Sequence, residues 1–512
     1  MEITVLGGRR KCWHISSGDI AGYITRSKVV LTSVPEGSSP ISSIVRRSTL
    51  VLDPTMVRPR DEDYIFLKGA LELSGSVESV SFFIWDEWQQ KVESVAIWTP
   101  EQSTASLNAE EWQKVLPTKG LTGGRKMLCI QGNIGNSAEV LARIPFFVAG
   151  KVNDPANITD KCTIVPFTDR LLDARVASYW SPTEKRKELT VTLPEDGSAA
   201  LIQMEWFAPP EQTVVTVKDK DERILLEDTI SNGFYVDAIH LTQEARSVMI
   251  RPTGRRVRMS SLRVYAEDYP REVVQQWEPM PEKLDMLLFS THQDDEILFF
   301  SGAVPWYSHL GKKVGIVYMT NCGRDRYKEA LDGIWLAGMR IHPVFLGYPD
   351  KDISSMKVAN GLWPDGQEAV VRQIRRAKPD VVLLQDINGE YGHTQHQLMS
   401  ELVRKGVELA SDPAFDPESA EEYGTWDVKK LYVHLYGEKQ IHMDWKIPLE
   451  ECGGFTPWDI AVEAFEMHHS QYGYFRMERQ SIIYDSSLFG LYKTSVGDDT
   501  PGTNDMFEHI NP

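Results

Sequence analysis

The stretch LLFSTHQDDEILFF, residues 287 to 300, sets His292, Asp294, Asp295 and Glu296 between two apolar runs. An imidazole and three carboxylates within five residues can ligate a metal ion, move a proton, or do both. Helix capping is the plainer reading, because Asp is a common N-cap. Capping uses one carboxylate, however, and leaves the other groups unexplained. A second polar turn, INGEYGHTQHQLM at residues 387 to 399, carries His393 and His396 at the start of a helical pattern. Their i, i+3 spacing puts both imidazoles on one helix face. If the two turns meet, His292, Asp295 and His396 converge, with Asp294 and His393 beside them. Two histidines and a carboxylate suit Zn²⁺ and leave a fourth position open to water, whereas a structural zinc site is closed by four protein ligands.

The elements around these turns say where they must lie. Leu287, Leu288 and Phe289 read as a buried strand, and Ile297 to Phe300 as the start of a buried helix. Apolar strand runs KLDMLLFST, KVGIVYMT, HPVFLG, DVVLLQD and KKLYVHLYG alternate with helix-length segments. GQEAVVRQIRRA groups Val370, Val371, Ile374 and Ala377 on one face, and QLMSELVRKGVELA groups Leu398, Leu402 and Leu409. Such alternation predicts an α/β Rossmann-like domain over residues 284–500, with a parallel sheet covered on both faces. Ligands of such sheets bind beyond the carboxyl ends of the strands, where both charged turns fall. The basic run Arg372, Arg375, Arg376 and Lys378 reads as the solvated side of a helix.

Before residue 268 the texture is short alternating strands and polar turns, which predicts two all-β sandwich domains. The first covers residues 1–151, with Trp85, Trp98 and Trp112 expected in its core. The second covers 158–268, and its strand rhythm resembles a galactose-binding-type jelly roll. Three prolines in DYPREVVQQWEPMPEK mark residues 269–283 as a linker.

Composition narrows the partners. A net charge of −18 argues against nucleic acid or an anionic membrane, since either needs a basic face. No stretch approaches the roughly 20 apolar residues of a membrane span, and the N-terminus lacks the basic and apolar regions of a signal peptide. A cytoplasmic location is expected, or a secreted one if a signal was trimmed. The five cysteines have no CxxC spacing, which suits a reducing compartment and excludes a cysteine-based zinc finger.

Residues 284 to 475 resemble the LmbE-like deacetylase family, which includes GlcNAc-phosphatidylinositol de-N-acetylase and the mycothiol and bacillithiol pathway deacetylases. The family's His-Pro-Asp-Asp-Glu stands here as His292-Gln293-Asp294-Asp295-Glu296, and its Gly-His-x-Asp-His as Gly392-His393-Thr394-Gln395-His396. RYKEALDGIWLAG matches the segment in which an arginine precedes a helix, and HHSQ matches His-x-Ser-Gln through His468, Ser470 and Gln471. The resemblance implies one zinc ion per chain, held by His292, Asp295 and His396. It implies Asp294 as the general base, His393 and Tyr391 as stabilisers of the tetrahedral oxyanion, and Arg326 as a substrate contact. Two departures stand out. Gln293 replaces a proline, which should mainly loosen the turn, and Gln395 replaces an aspartate, which bears on the acidity of His393. Arg326 with Glu329 also fits a surface ion pair, His468 a helix-end dipole partner, and His434 and His442 read as structural.

The reading that follows is a zinc-dependent hydrolase removing the N-acetyl group from an N-acetylated amino sugar or glycoconjugate. Its rivals are a carbohydrate-binding protein with an inactive deacetylase-like domain, and a metal hydrolase of another amide or ester. Oligomeric state, sugar and aglycone are not legible.

Overall fold

Leu189, Val191, Val215, Val217, Val248 and Ile250 recur at every second position of their strands and are buried, so each strand turns one face inward. In the computed structural model these belong to a five-stranded antiparallel sheet, ordered β1–β2–β7–β4–β5. Its strands are β1 (Thr163–Val165), β2 (Leu189–Thr192), β4 (Thr213–Lys218), β5 (Ile224–Ile230) and β7 (Ser247–Pro252). A second antiparallel sheet, β6–β3–β8, is made of β3 (Leu201–Ala208), β6 (Val236–His240) and β8 (Arg258–Tyr265). Ile202, Met204, Trp206, Ile239, Met259 and Val264 of the second sheet join the first in one core.

The structure describes residues 156–510, with short breaks, and the strand backbones within residues 2–148. Two compact units are distinguished: Met1–Leu121 with Arg125–Ala149, and Gly150–Pro512 with Thr122–Gly124. In the first, Ser79–Asp86 pairs antiparallel with Lys91–Trp98 and with Gly124–Ile134. The side chains of the sandwich expected over 1–151, including the three tryptophans, lie outside the described residues.

The second half of the larger unit is an α/β domain. Its elements are β9 (Met286–Ser290), α1 (Asp295–Leu298), α2 (Ala303–His309), β10 (Val314–Asn321), α3 (Arg324–Leu336), β11 (Val344–Pro349), α4 (Met356–Leu362) and α5 (Gly366–Ala377). They continue with β12 (Val381–Leu384), α6 (Thr394–Leu409), α7 (Pro417–Tyr423), β13 (Lys430–His434), β14 (Gln440–His442), α8 (Pro457–Phe465), α9 (Met477–Ile483) and β15 (Leu488–Thr494). The sheet order is β11–β10–β9–β12–β13–β15–β14. Its first five strands are parallel, but β15 runs antiparallel to both β13 and β14. The sheet is therefore mixed, not purely parallel as the strand rhythm suggested. An antiparallel strand can be added at an edge without disturbing the buried parallel centre.

Val370, Val371, Ile374 and Ala377 of α5 and Leu398, Leu402 and Val403 of α6 pack on the sheet in one core. The two helices approach so closely that a side chain at Gly406 would sit 2.6 Å from Val370 Cγ1. Arg375 departs from the solvated role expected of its run, because it is fully buried. Its guanidinium donates to the carbonyls of Ala410, Asp412, Phe415 and Asp416 and to Ser419 Oγ. Five fixed donors on one side chain thus satisfy carbonyls of the 410–416 turn that joins α6 to α7.

The stretch read as a linker is packed between the two halves of this unit. Val274, Gln275 and Trp277 are buried. Gln203 of β3 donates to the Gln275 carbonyl at 3.1 Å, and Gln275 donates to Asp332 of α3 at 2.6 Å. Glu205 of β3 meets Arg263 of β8 at 3.0 Å and Lys328 of α3 at 3.8 Å. Among the described residues no helix is long and apolar enough to cross a membrane.

Candidate metal centre and active site

Strand order sets the site. β9 lies between β10 and β12, the point at which the chain reverses its direction of travel across the sheet. The loops leaving β9 and β12 therefore diverge to opposite faces and open a crevice at the carboxyl ends. The His292–Glu296 turn leaves β9, and the loop to α6 leaves β12. Four of their side chains are buried enough to change their chemistry: His292 is 8% exposed, Asp294 and Asp295 3%, His396 0%.

Three atoms converge there. His292 Nδ1 lies 3.0 Å from Asp295 Oδ2 and 3.0 Å from His396 Nε2, and His396 Nε2 lies 3.2 Å from Asp295 Oδ2. Ligands about 2.0–2.1 Å from a tetrahedral zinc ion stand about 3.3 Å apart, close to this triangle. His393 adjoins it, with its ring 4.8 Å from that of His292 and 4.6 Å from that of His396. Nitrogen atoms of the three histidines lie within 4.8 Å of one another, so a His292–His393–His396 set is also conceivable. The set with Asp295 is tighter, and it places a negative charge where a cation would sit. Two imidazole nitrogens facing each other across one carboxylate oxygen need a positive charge between them. Burial opposes that charge, but Asp295 outweighs it and lifts His292 to about 9 and His396 to about 10, with Glu390 adding to the latter. The donor set fits a divalent metal.

Each ligand is oriented from behind. Glu390 Oε2 lies 2.7 Å from His396 Nδ1, and Gln385 Nε2 lies 2.9 Å from the same atom. Asp350, at the end of β11, lies 3.4 Å from His292 Nε2. Carboxylates behind ligating histidines fix the tautomer and the ring plane. Sequence reasoning missed both acids and treated His434 as merely structural, yet His434 Nδ1 lies 3.1 Å from Glu390 Oε1. The one sequence signal was Glu390 itself, a carboxylate in the same glycine-flanked turn as His393.

Asp294 stands in backbone geometry that an L-residue rarely adopts, with φ at 153°; such residues cost about 1–3 kcal/mol and cluster at functional sites. Its own N–H donates to Glu296 Oε2 at 2.9 Å. Arg326 donates to Asp294 Oδ1 and to the Gln293 carbonyl, each at 2.6 Å. Burial pushes the Asp294 carboxyl up to about 7, with Asp295 adding to the rise and Arg326 opposing it. Burial acts the same way on Asp295, but His396 and His292 outweigh it and hold this carboxyl well below the usual range. Two adjacent carboxylates thus take different characters, one a permanent anion and one able to exchange a proton near neutrality.

Other expected residues fall into different places. Arg326 is partly exposed and engages the Asp294 turn through Nε and Nη2. Glu329 accepts from Ser470 N–H and Oγ–H at 2.8 and 2.6 Å, so it anchors HHSQ and forms no surface pair with Arg326. His468 is fully buried, 3.4 Å from Glu296. Tyr391 is 46% exposed at the rim, its ring 5.6 Å from that of His393. Gln395 turns away from His393, donating to the Pro349 carbonyl and accepting from Lys351 N–H, and so tethers the Asp350 loop. Burial and the two neighbouring imidazoles lower His393 to about 4, so it is a neutral ring. Gln293 does not loosen the turn. It is fully buried, donates to the Thr320 carbonyl at 2.7 Å and accepts from Cys322 N–H, bonds that a proline could not make.

Comparison with known proteins bears on the domain that carries these residues. Residues 287–407 match the family described as GlcNAc-PI de-N-acetylase. A 1D-myo-inositol 2-acetamido-2-deoxy-alpha-D-glucopyranoside deacetylase 1 from Catenulispora acidiphila is 28% identical over 213 residues, 35% of this chain and 64% of that protein. The corresponding deacetylase of Streptomyces scabiei is 36% identical over 214 residues, 33% of this chain and 65% of that protein. The chain thus spans just under two thirds of the length of either relative. The N,N'-diacetylchitobiose deacetylase of Pyrococcus horikoshii aligns with a TM-score of 0.33 at 17% identity, over 43% of this chain and 87% of that one, a likeness too slight to bear on chemistry. Residues 287–407 are a domain of the GlcNAc-PI de-N-acetylase family, carried in the C-terminal part of a longer chain.

Proposed function

We propose that this chain is a metal-dependent N-deacetylase that hydrolyses the acetamide of an N-acetylated amino sugar, with zinc as its metal. The observation that carries the reading is the triangle of His292, Asp295 and His396 with a protonatable Asp294 beside it. The family match and the deacetylase relatives support the reaction and the sugar class.

An acetamide is a poor electrophile and its amine a poor leaving group. Bound at His292, Asp295 and His396, the metal would supply Lewis acidity and lower the pKa of water to near ~7. Asp294 takes the proton from the attacking water and later returns it to the departing nitrogen, which a carboxyl with a pKa near the working pH can do in both directions. Arg326 holds that carboxylate in place through a 2.6 Å bond. His393 N–H, unpaired at Nδ1 among the described residues, donates to the developing oxyanion, and Tyr391 stands at the rim where it can add a second donor. Phe299, buried with its ring 5.8 Å from that of His396, covers one side of the triangle.

Acetate release from N-acetylglucosamine derivatives, with and without a chelator, tests the reading. Chelator-sensitive release is expected. A chain that takes up metal and releases no acetate from any N-acetylated sugar overturns it. A panel of other acylated sugars separates the amide from an ester hydrolase.

A further inference from the structure

The matched family segment begins at residue 287 and so gives no role to residues 156–268. The structure ties this two-sheet region to the loop that holds Asp294. The link runs through the first turn of α3. That turn has no side-chain N-cap, and it follows Gly323 at φ 99°, so its position must be fixed from outside the helix.

Two contacts fix it. Arg324 stacks its guanidinium on the Tyr235 ring, 4.1 Å from the centroid, and donates through Nη2 to the Trp206 carbonyl. Its Nε and Nη1 are buried with no hydrogen-bond partner among the described residues, so the ring and the carbonyl carry the attachment. Tyr327, one turn on, packs edge-on to Tyr235 at 5.4 Å and stacks on Phe345 at 4.2 Å. Between Arg324 and Tyr327 lies Arg326, which reaches back to Asp294 and the Gln293 carbonyl. Tyr235 and Trp206 belong to the two-sheet region, and Arg326 and Asp294 to the α/β domain.

We propose that Arg324 is a positioning residue: clamped by Tyr235 and the Trp206 carbonyl, it sets the first turn of α3 so that Arg326 holds Asp294 in its working geometry. The two-sheet region is then a working part of the site and not only an attached module. The proposal rests on the deacetylase reading above, in which Asp294 handles the proton.

The test uses the full chain and the variants Arg324→Ala, Tyr235→Ala, Tyr235→Phe, Arg326→Ala and the double variant Arg324→Ala/Arg326→Ala. Displacement by about 1 Å can cost about 10²-fold, so Arg324→Ala and Tyr235→Ala should each lower kcat by about 10- to 100-fold with KM and metal content little changed. Tyr235→Phe, which keeps the ring, should restore activity. The double variant should be no slower than Arg326→Ala, because Arg324 acts through Arg326. Hydrogen exchange across residues 322–328 should quicken in Arg324→Ala and stay unchanged across β9. Wild-type kcat in Arg324→Ala, or a loss that multiplies onto that of Arg326→Ala, overturns the proposal. Failure of the wild type to release acetate would instead sink the deacetylase reading. The clamp is then judged by exchange alone, and unchanged exchange in Arg324→Ala overturns it.

Discussion

Glu390 bridges two histidines: one carboxylate oxygen lies 2.7 Å from Nδ1 of His396 and the other 3.1 Å from Nδ1 of His434. The acid is fully enclosed, its side chain 0% exposed. Its pKa is lowered because the two imidazoles outweigh the penalty of burial. A permanent anion behind His396 keeps the proton on Nδ1 and leaves Nε2 free to face the crevice. Glu390→Gln removes that charge and preserves the shape. Metal affinity, measured by competition with a chelator, should fall about 10–100-fold. Unchanged affinity would mean that the charge of Glu390 is not what holds the ring.

His396→Ala tests the ligand set itself. It removes one corner of the triangle, so metal analysis of the purified variant should show a large loss of zinc. Full stoichiometry in that variant would mean that His396 is not a ligand, which removes both the set with Asp295 and the all-histidine set.

Asp294→Asn should keep its metal and its fold, since the amide can still accept from Arg326. An amide cannot take the proton, and general-base catalysis contributes about 10²–10⁴-fold. Loss of turnover on that scale is expected at unchanged zinc content. Near-normal turnover would remove Asp294 from the mechanism.

The parallel strands, the helices α5 and α6 and the two charged turns that meet at His292 and His396 were readable in the sequence, because hydrophobic alternation and a clustered charge are local signals. The groups that escaped are those whose partners are distant in sequence. Gln293 looked like a lost proline until Thr320 and Cys322 were seen beside it. Arg375 looked like a surface cation because a helical wheel cannot show that the 409–416 turn folds over it. Arg326 looked like a substrate contact, and its place on Asp294 depends on where α3 begins. The antiparallel β15 was invisible for a related reason: strand direction follows from connection and pairing, neither of which is written in a short apolar run.

The packing between the two halves of the larger unit predicts how a truncated chain behaves. A fragment starting near residue 275 should expose Tyr327, which loses Tyr235, and His342, which loses Phe234, and it leaves Lys328 with Asp332 but without Glu205. Exposing large apolar faces costs on the order of several kcal/mol, comparable with the whole stability of a domain. The fragment should therefore be insoluble or melt well below the full chain in thermal denaturation. A fragment that is soluble, binds zinc and matches the full chain in turnover would show that residues 156–268 serve only as a module.

His342 predicts a pH dependence of stability at the same contact. Its ring stacks on Phe234 at 4.3 Å, Nδ1 donates to the Pro343 carbonyl, and Nε2 accepts from Tyr235 N–H. Both nitrogens are committed in the neutral form, and burial lowers the ring to about 3, with Arg324 adding to the fall. The unfolded chain takes up this proton near the ordinary value of about 6.5. Between about 6.5 and 3 the unfolded state holds more protons, so stability rises with pH there. The contribution of the neutral ring is fully present above 6.5 and is lost as the pH falls. His342→Leu abolishes the titration and also loses the two hydrogen bonds, so it should be less stable at pH 7. Its melting temperature should nevertheless fall less steeply than that of the wild type between pH 6.5 and 4.5. Parallel curves for the two proteins over that range would show that His342 does not carry the dependence.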